Sequence, residues 1–348
     1  MSYNKIISIF TIFSAFLILS GCKARNPDES ATHLKAGIEN SNKGDQNKAL
    51  EEYNLAIEAD YQNSSALYRR GVLYVSRNDM PNGLKDLDEA IKLSPDSAKF
   101  IDARGYTYLT MNRLKEAMED MEMAVKKDDK NAVYINRRGY VYALLKDYTT
   151  AIKDYTKAME LNPKLEDAYA NRGFAYMNTK VYDKAAIDFA KAIEINPKNA
   201  VYYNQRGYSY VMTKNLGFAL DDYNKAIELN PNLTDAYINR GFIFLNSDQF
   251  KPAILDFNSA IKLDQTKPVL FNARGYALAS MKDYDNALLD YNKAIELDST
   301  LTDAYVNRGF TYFNRFEKPN ALKDWEHAVQ QKPSLDSTLR VYIEKVKK

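Results

Sequence analysis

Cysteine is nearly missing from this chain, and so is histidine: 348 residues include one of the first and two of the second. No disulfide can close within one chain, and a Cys/His zinc cluster is not expected. His33 and His327 stand at opposite ends of the sequence. Neither a Ser/His/Asp nor a Cys/His nucleophilic arrangement can be assembled from them, and both are expected at the surface. An excess of charge of one sign is also lacking. The 48 basic and 46 acidic residues leave a formal net charge of +2, which gives no global drive toward nucleic acid or an anionic membrane. The carboxylate pairs Glu51–Glu52 and Asp221–Asp222 are adjacent in sequence and point apart on a helix. The 13 glycines form no phosphate-cradling loop. No hydrophobic run reaches the ~20 residues of a comfortable transmembrane helix. The reading is of a chain that is not an enzyme and holds neither metal nor cofactor.

What is present begins with an apolar stretch, Ile6 to Leu19, preceded by Lys5. Its length is that of a secretory signal's hydrophobic region. It runs into Leu19-Ser20-Gly21-Cys22, which contains the chain's single cysteine. This resembles the lipobox of bacterial lipoproteins, in which cleavage precedes an acylated cysteine. The resemblance implies a signal peptide at 1–21 and a lipid-bearing Cys22 with a short polar tether over 22–29. Several acyl chains, at about 0.8 kcal/mol per buried CH₂, would hold such a protein stably at a membrane. Lys23 stands where the enterobacterial inner-membrane signal has aspartate. The same resemblance therefore favours the outer membrane of the cell envelope.

The rest of the chain repeats. Gly37, Gly71, Gly105, Gly139, Gly173, Gly207, Gly241, Gly275 and Gly309 are each 34 residues apart. With that glycine as position 8, nine repeats start at 30, 64, 98, 132, 166, 200, 234, 268 and 302. Position 20 is alanine in all but the second, which has Gly83, and position 27 is alanine throughout, from Ala56 to Ala328. Position 24 is large, as in Tyr155, Phe189, Tyr223, Phe257, Tyr291 and Trp325, and position 11 is mostly aromatic. These offsets predict two helices per repeat with a break near positions 15–18. Small residues let the pair approach and large ones fill the space between.

The pattern resembles the tetratricopeptide repeat over residues 30–335. That resemblance implies an all-α fold, a right-handed α-solenoid superhelix of nine helix-turn-helix hairpins. One hairpin cannot bury its apolar face alone, so neighbours must stack. Leu339, Tyr342, Ile343 and Val346 then read as the apolar face of a capping helix over 336–348.

Two positions depart from the family. Position 7 is arginine in repeats two to nine, including Arg172, Arg206 and Arg240. Position 23 is aspartate in the same repeats, including Asp188, Asp222 and Asp256. Each arginine is expected to pair with an aspartate across the helix packing, as a structural ladder. An anion-binding ladder is the alternative, weakened because a matched acid leaves little free charge.

In this family the first helix of each hairpin lines the concave groove. Position 9 there is aromatic in seven repeats: Tyr106, Tyr140, Phe174, Tyr208, Phe242, Tyr276 and Phe310. Repeats five, seven and nine add Asn171, Asn239 and Asn307 at position 6, and Asn178, Asn246 and Asn314 at position 13. The even repeats have Asn136, Asn204 and Asn272 at position 5 instead, so a 68-residue double repeat overlies the 34-residue one. Asparagine offers donor and acceptor to a peptide backbone. The arrangement resembles the asparagine ladder of tetratricopeptide superhelices that hold extended peptides. The asparagines could equally bond the preceding helix, and the aromatics could be packing between repeats.

The function expected is a membrane-anchored protein-interaction scaffold of the bacterial cell envelope, with another protein's extended peptide or helix as partner and no nucleic acid. A solute- or glycan-capturing outer-membrane lipoprotein is the alternative, against which the unbroken 34-residue spacing argues. A structural spacer array is the third.

Overall fold

The computed structural model describes residues 25–347, which form nineteen α-helices, one short 3-10 turn and, among the described residues, no strand. The helices divide into two compact units that meet in sequence at Asp128–Asp129. The first holds three hairpins: α1 (Pro27–Asn42) with α2 (Gln46–Ala59), α3 (Ser64–Ser76) with α4 (Met80–Leu93), and α5 (Ala98–Thr110) with α6 (Leu114–Lys127). The second holds six, beginning with α7 (Ala132–Leu144) and α8 (Tyr148–Leu161). There follow α9 (Glu166–Asn178) with α10 (Tyr182–Ile195), and α11 (Ala200–Met212) with α12 (Leu216–Leu229). Then come α13 (Thr234–Asn246) with α14 (Phe250–Leu263), and α15 (Pro268–Ser280) with α16 (Tyr284–Leu297). The last pair is α17 (Thr302–Asn314) with α18 (Lys318–Gln331), followed by α19 (Asp336–Lys347). Each helix packs on its successor within a unit, which is the arrangement of a helical solenoid.

From the second hairpin on, first helices occupy positions 1–13 and second helices 17–30. The glycine at position 8 is where they touch. A Cβ at Gly207 would lie 2.9 Å from the Tyr223 ring, and one at Gly309 would lie 2.5 Å from Trp325. The alanines at positions 20 and 27 are fully buried in almost every hairpin, as are Phe189, Tyr223, Phe257 and Trp325 at position 24. At the far end α19 lays Leu339 and Tyr342 over the last hairpin. Leu339 is buried, and the Tyr342 ring stands 5.7 Å from Trp325 and 5.0 Å from Phe310.

Three features differ from the expectation. The break within each hairpin is narrower and lies at positions 14–16, because position 15 takes a left-handed backbone. Gly44 supplies it without strain in the first hairpin, but Lys146, Lys180, Lys214, Lys282 and even Phe316 (φ 64°) supply it later. The first helix starts at Pro27, inside the stretch expected as tether. Asn26 caps it through its side chain and Pro27 takes the opening position, where a missing N–H does no harm. Arg25 forms a two-bond pair with Asp60 at 2.6 and 3.0 Å, so the chain is held to the first hairpin from there on. His33 is not a surface residue: it is part-buried and hydrogen-bonds Glu52 at 2.7 Å.

Glycine substitutions separate these roles. Gly207→Ala should lower stability by about 1–2 kcal/mol in urea titration, because overpacking against a buried ring outweighs alanine's helix propensity. Gly217→Ala, with nothing within 4 Å of the new Cβ, should raise it by up to about 1 kcal/mol. Phe316→Gly should raise it by about 1 kcal/mol, the cost of holding an L-side chain left-handed. Loss of stability in the last variant would mean that the exposed ring has a partner in the folded chain.

Candidate functional site

The arginines at position 7 come first, because they hold the helices on which everything else is mounted. All eight donate Nε and Nη2 to the two oxygens of the aspartate at position 23 in their own hairpin, at 2.6–2.9 Å. The aspartates are nearly inaccessible and about a fifth of each arginine is exposed. In hairpins two, three, five, seven, eight and nine the third nitrogen, Nη1, reaches back to position 25 of the preceding second helix. Its acceptors are Asn54, Asp88, Thr156, Asn224, Asn258 and Asn292, at 2.5–2.9 Å. Ala190 stands at that place before Arg206 and has no side-chain acceptor. The guanidinium also lies 5.4–6.0 Å from aromatic rings three residues before or four after it, as Arg308 does from Tyr305 and Tyr312. With an acid on one edge and rings on its faces, each arginine is engaged in holding hairpins together. Burial pushes the Asp188 and Asp222 carboxyls up, and Arg172 and Arg206 pull them part of the way back. In the first hairpin, which has Ala36 and Glu52 at these positions, His33 on the turn before takes up the acid.

The asparagines at position 6 are tied to the neighbouring hairpin. Asn171 donates to Asn136 at 3.2 Å, Asn239 to Asn204 at 3.1 Å and Asn307 to Asn272 at 3.0 Å. Each bond uses one of two N–H groups and leaves the other, with the carbonyl, for a further partner. The asparagines at position 13 are exposed; Asn178 donates to the Phe174 carbonyl at 2.9 Å, while Asn246 and Asn314 face solvent.

The aromatics at position 9 divide by hairpin. Phe174, Phe242 and Phe310 set their edges against Phe189, Phe257 and Trp325 of their own hairpins, with centroids 5.1–5.3 Å apart. The tyrosines stand further out. Tyr106, Tyr140 and Tyr276 are exposed, the last by 46%, and Tyr208 is half-buried with its edge toward Tyr182. A tyrosine at position 9 accompanies a tyrosine at position 24 in hairpins four, six and eight, and a phenylalanine accompanies phenylalanine or tryptophan in five, seven and nine.

This division produces two related cavities. One, of about 530 Å³, lies between hairpins four and five, lined by Tyr140, Ala143, Leu144, Lys146, Tyr148, Tyr155, Asn171, Phe174, Ala175 and Asn178. The other, of about 190 Å³, lies between hairpins eight and nine, lined by Tyr276, Ala279, Ser280, Tyr291, Asn307, Phe310, Thr311 and Asn314. Every lining residue of the second is the counterpart of one in the first, four repeats on. At the intermediate junction Val211 and Ile243 replace the small residues of positions 12 and 10, and Ile243 packs in one cluster with Tyr223. The Tyr223 hydroxyl is buried without a hydrogen-bond partner. Tyr291, whose neighbour at position 10 is Thr311, bonds that hydroxyl.

A larger cavity of about 660 Å³ lies beside the second helices of hairpins eight and nine, around Arg308, Asp324 and His327. At it the Tyr305 ring stands 4.3 Å from His327, and Gln331 bonds the imidazole. Sequence reasoning reaches Asn171, Asn178, Asn307, Asn314 and the position-9 rings. It misses Tyr155, Tyr291 and the small residues Ala143, Ala175 and Ala279. The only signal for these is the change in size along position 10: Ala175, Ile243, Thr311. Cys22 lies outside the described residues.

Profiles described as tetratricopeptide repeat or TPR repeat match residues 34–98, 98–131, 139–180, 166–199, 200–233, 234–267 and 275–315. The chain belongs to the tetratricopeptide-repeat family. No curated protein matches in sequence. Among solved structures, a tetratricopeptide repeat protein from Parabacteroides merdae is 20% identical, with a TM-score of 0.54 over 72% of this chain and 99% of that one. A chain of the APC/C hetero-tetramer Cut9–Hcn1 is 14% identical, with a TM-score of 0.54 over 95% and 79%. YrrB, described as a TPR protein with an unusual peptide-binding site, is 26% identical, with a TM-score of 0.45 over 54% and 97%. The first two share the fold of this tetratricopeptide-repeat chain.

Two substitutions test the ladder and its setting. Arg206→Ala should lower stability by about 3 kcal/mol, since it leaves Asp222 buried and unpaired. Burial alone then raises the Asp222 carboxyl, so the folded variant binds a proton that the unfolded chain releases above about pH 3.9. The variant should therefore lose stability as pH rises from about 4 to 7, read from urea midpoints across that range. Tyr223→Phe should be neutral or stabilise by about 1 kcal/mol, because it removes an unsatisfied hydroxyl. Tyr291→Phe should destabilise by a similar amount, because it removes a satisfied one.

Proposed function

We propose that this chain is a protein-interaction scaffold of the bacterial cell envelope, held to a membrane by lipid on Cys22 and binding an extended segment of another protein across its first helices. The observation that carries the binding part is the recurrence of one cavity at two places four hairpins apart, lined by asparagine amides and aromatic rings. Amides with unused donors and acceptors suit a peptide backbone, and the rings suit its apolar side chains. The membership of the tetratricopeptide-repeat family agrees with a scaffold's role. The minimal 34-residue spacing leaves no insertion in which a separate glycan site could be built.

The anchor rests on Leu19-Ser20-Gly21-Cys22. No helix among the described residues is long and apolar enough to cross a membrane; on this reading attachment is through the lipid on Cys22. Only Lys23 and Ala24 separate Cys22 from Arg25, which is already paired with Asp60. On this reading the first hairpin sits close against the bilayer, and Lys23 favours the outer membrane.

A photo-crosslinking residue at Tyr140, with one at Glu194 on a second helix as control, reads out the binding face in cells. Protein adducts from Tyr140 and few from Glu194 are expected. Adducts from Glu194 alone, or binding to a glycan array with no protein adduct, would overturn the proposal. Cys22→Ser should abolish incorporation of an alkyne-tagged fatty acid and move the protein to the soluble fraction. Unchanged labelling would remove the anchor.

A further inference from the structure

The two cavities differ from the rest of the first-helix face in a way that sets a register. Between them lies the junction of hairpins six and seven, where Val211 and Ile243 stand in place of the small residues and Ile243 packs with Tyr223. The face therefore alternates, with an open cavity, a filled junction and an open cavity. The geometry points to a single partner chain held at both cavities at once, through two large apolar side chains with a fixed interval between them. This rests on the interaction-scaffold reading above and adds the occupant's form.

The occupant is an extended polypeptide. The free amide groups of Asn171 and Asn307 at the cavity mouths can bond only a backbone whose own N–H and C=O groups are unused, and a helix has none along its length. Apart from the asparagines and Lys146, the cavity walls are aromatic rings with Leu144 and small residues, Ala143 and Ala175 in the first and Ala279, Ser280 and Thr311 in the second, so what enters is aromatic or similarly large. The lining of the second cavity includes no charged residue, and that of the first only Lys146 at the turn. No net charge is selected, which fits an uncharged anchor. Neighbouring packed helices lie about 10 Å apart, so four hairpins span about 40 Å. An extended chain covers that distance in about 12 residues at roughly 3.3 Å each. Joining two weak anchors on one chain makes the second engagement intramolecular, and the gain disappears when the interval is wrong.

The test uses the chain from Cys22 onward with serine in place of the cysteine, and synthetic fluorescent peptides of Gly, Ser and Asn carrying two tryptophans 4 to 20 residues apart. Fluorescence anisotropy should give an affinity maximum near an interval of about 12, at least tenfold above a one-tryptophan peptide. Ala175→Ile and Thr311→Ile copy the filled junction. Each should reduce the best peptide to the one-tryptophan affinity, while thermal melts confirm that the variants remain folded. Ile243→Ala should open the middle junction and add a second maximum near half the interval. Affinity independent of the interval, or unaffected by both filling variants, would overturn the two-cavity inference and leave the scaffold reading in place. Absence of binding by every peptide, with crosslinking from Tyr140 intact, would overturn the extended occupant alone. Loss of that crosslinking as well would overturn both.

Discussion

Each guanidinium at position 7 acts from one place on more than one neighbour. It closes its own hairpin through two bonds to a buried aspartate, and in most hairpins it also reaches the second helix of the preceding one. It supports the aromatic rings of its own helix on its faces as well. A hydrophobic residue at that place could fill the space but could not reach into the next hairpin with a directed bond. A single missing rung is expensive because the aspartate it leaves behind is already out of water. The asparagine bonds, the cavities and the glycine contacts all presuppose the hairpin separation that these pairs set.

The amide pairs show how a 68-residue unit arises on a 34-residue scaffold. Asn171, Asn239 and Asn307 each bond backward to an asparagine in an even hairpin. Where the donor hairpin has phenylalanine at position 9, the ring is drawn inward onto position 24. Where the acceptor hairpin has tyrosine there, the ring stays out in hairpins four and eight and is half-buried in hairpin six. The face therefore carries inward and outward rings by turns, and the space between an outward tyrosine and an inward phenylalanine is the cavity.

The fold was almost wholly legible in the sequence, because a glycine, two alanines and one large residue recur at fixed offsets and only paired helices satisfy them together. The Arg–Asp geometry was legible for the same reason: an arginine that recurs eight times in step with an aspartate sixteen residues on falls opposite it across every hairpin but the first. What stayed hidden depends on one-off residues. His33 supporting Glu52 in the first hairpin follows no periodicity. The left-handed backbone at Lys180 or Phe316 could not be seen, because neither residue signals that conformation as glycine does. The cavities turn on Ala175 and Thr311 against Ile243, a difference of a few methyl groups that no pattern marks as functional until packing shows which junction they fill.

The backward bond of the arginine has a mechanical consequence. In a linear array of like units, cooperativity is set by how strongly each unit is coupled to its neighbour relative to its own stability. A directed bond from one hairpin into the one before adds to that coupling at most steps, so neighbouring hairpins are biased to open together rather than fray singly. At hairpin six the bond is missing, because Ala190 offers Arg206 nothing to grip. There the Tyr202 hydroxyl of hairpin six donates instead to Glu166 of hairpin five at 3.1 Å, so the directed coupling at that step runs between first helices rather than through the guanidinium. A partner chain spanning both cavities would lie along that same face of first helices and add to the coupling already made there.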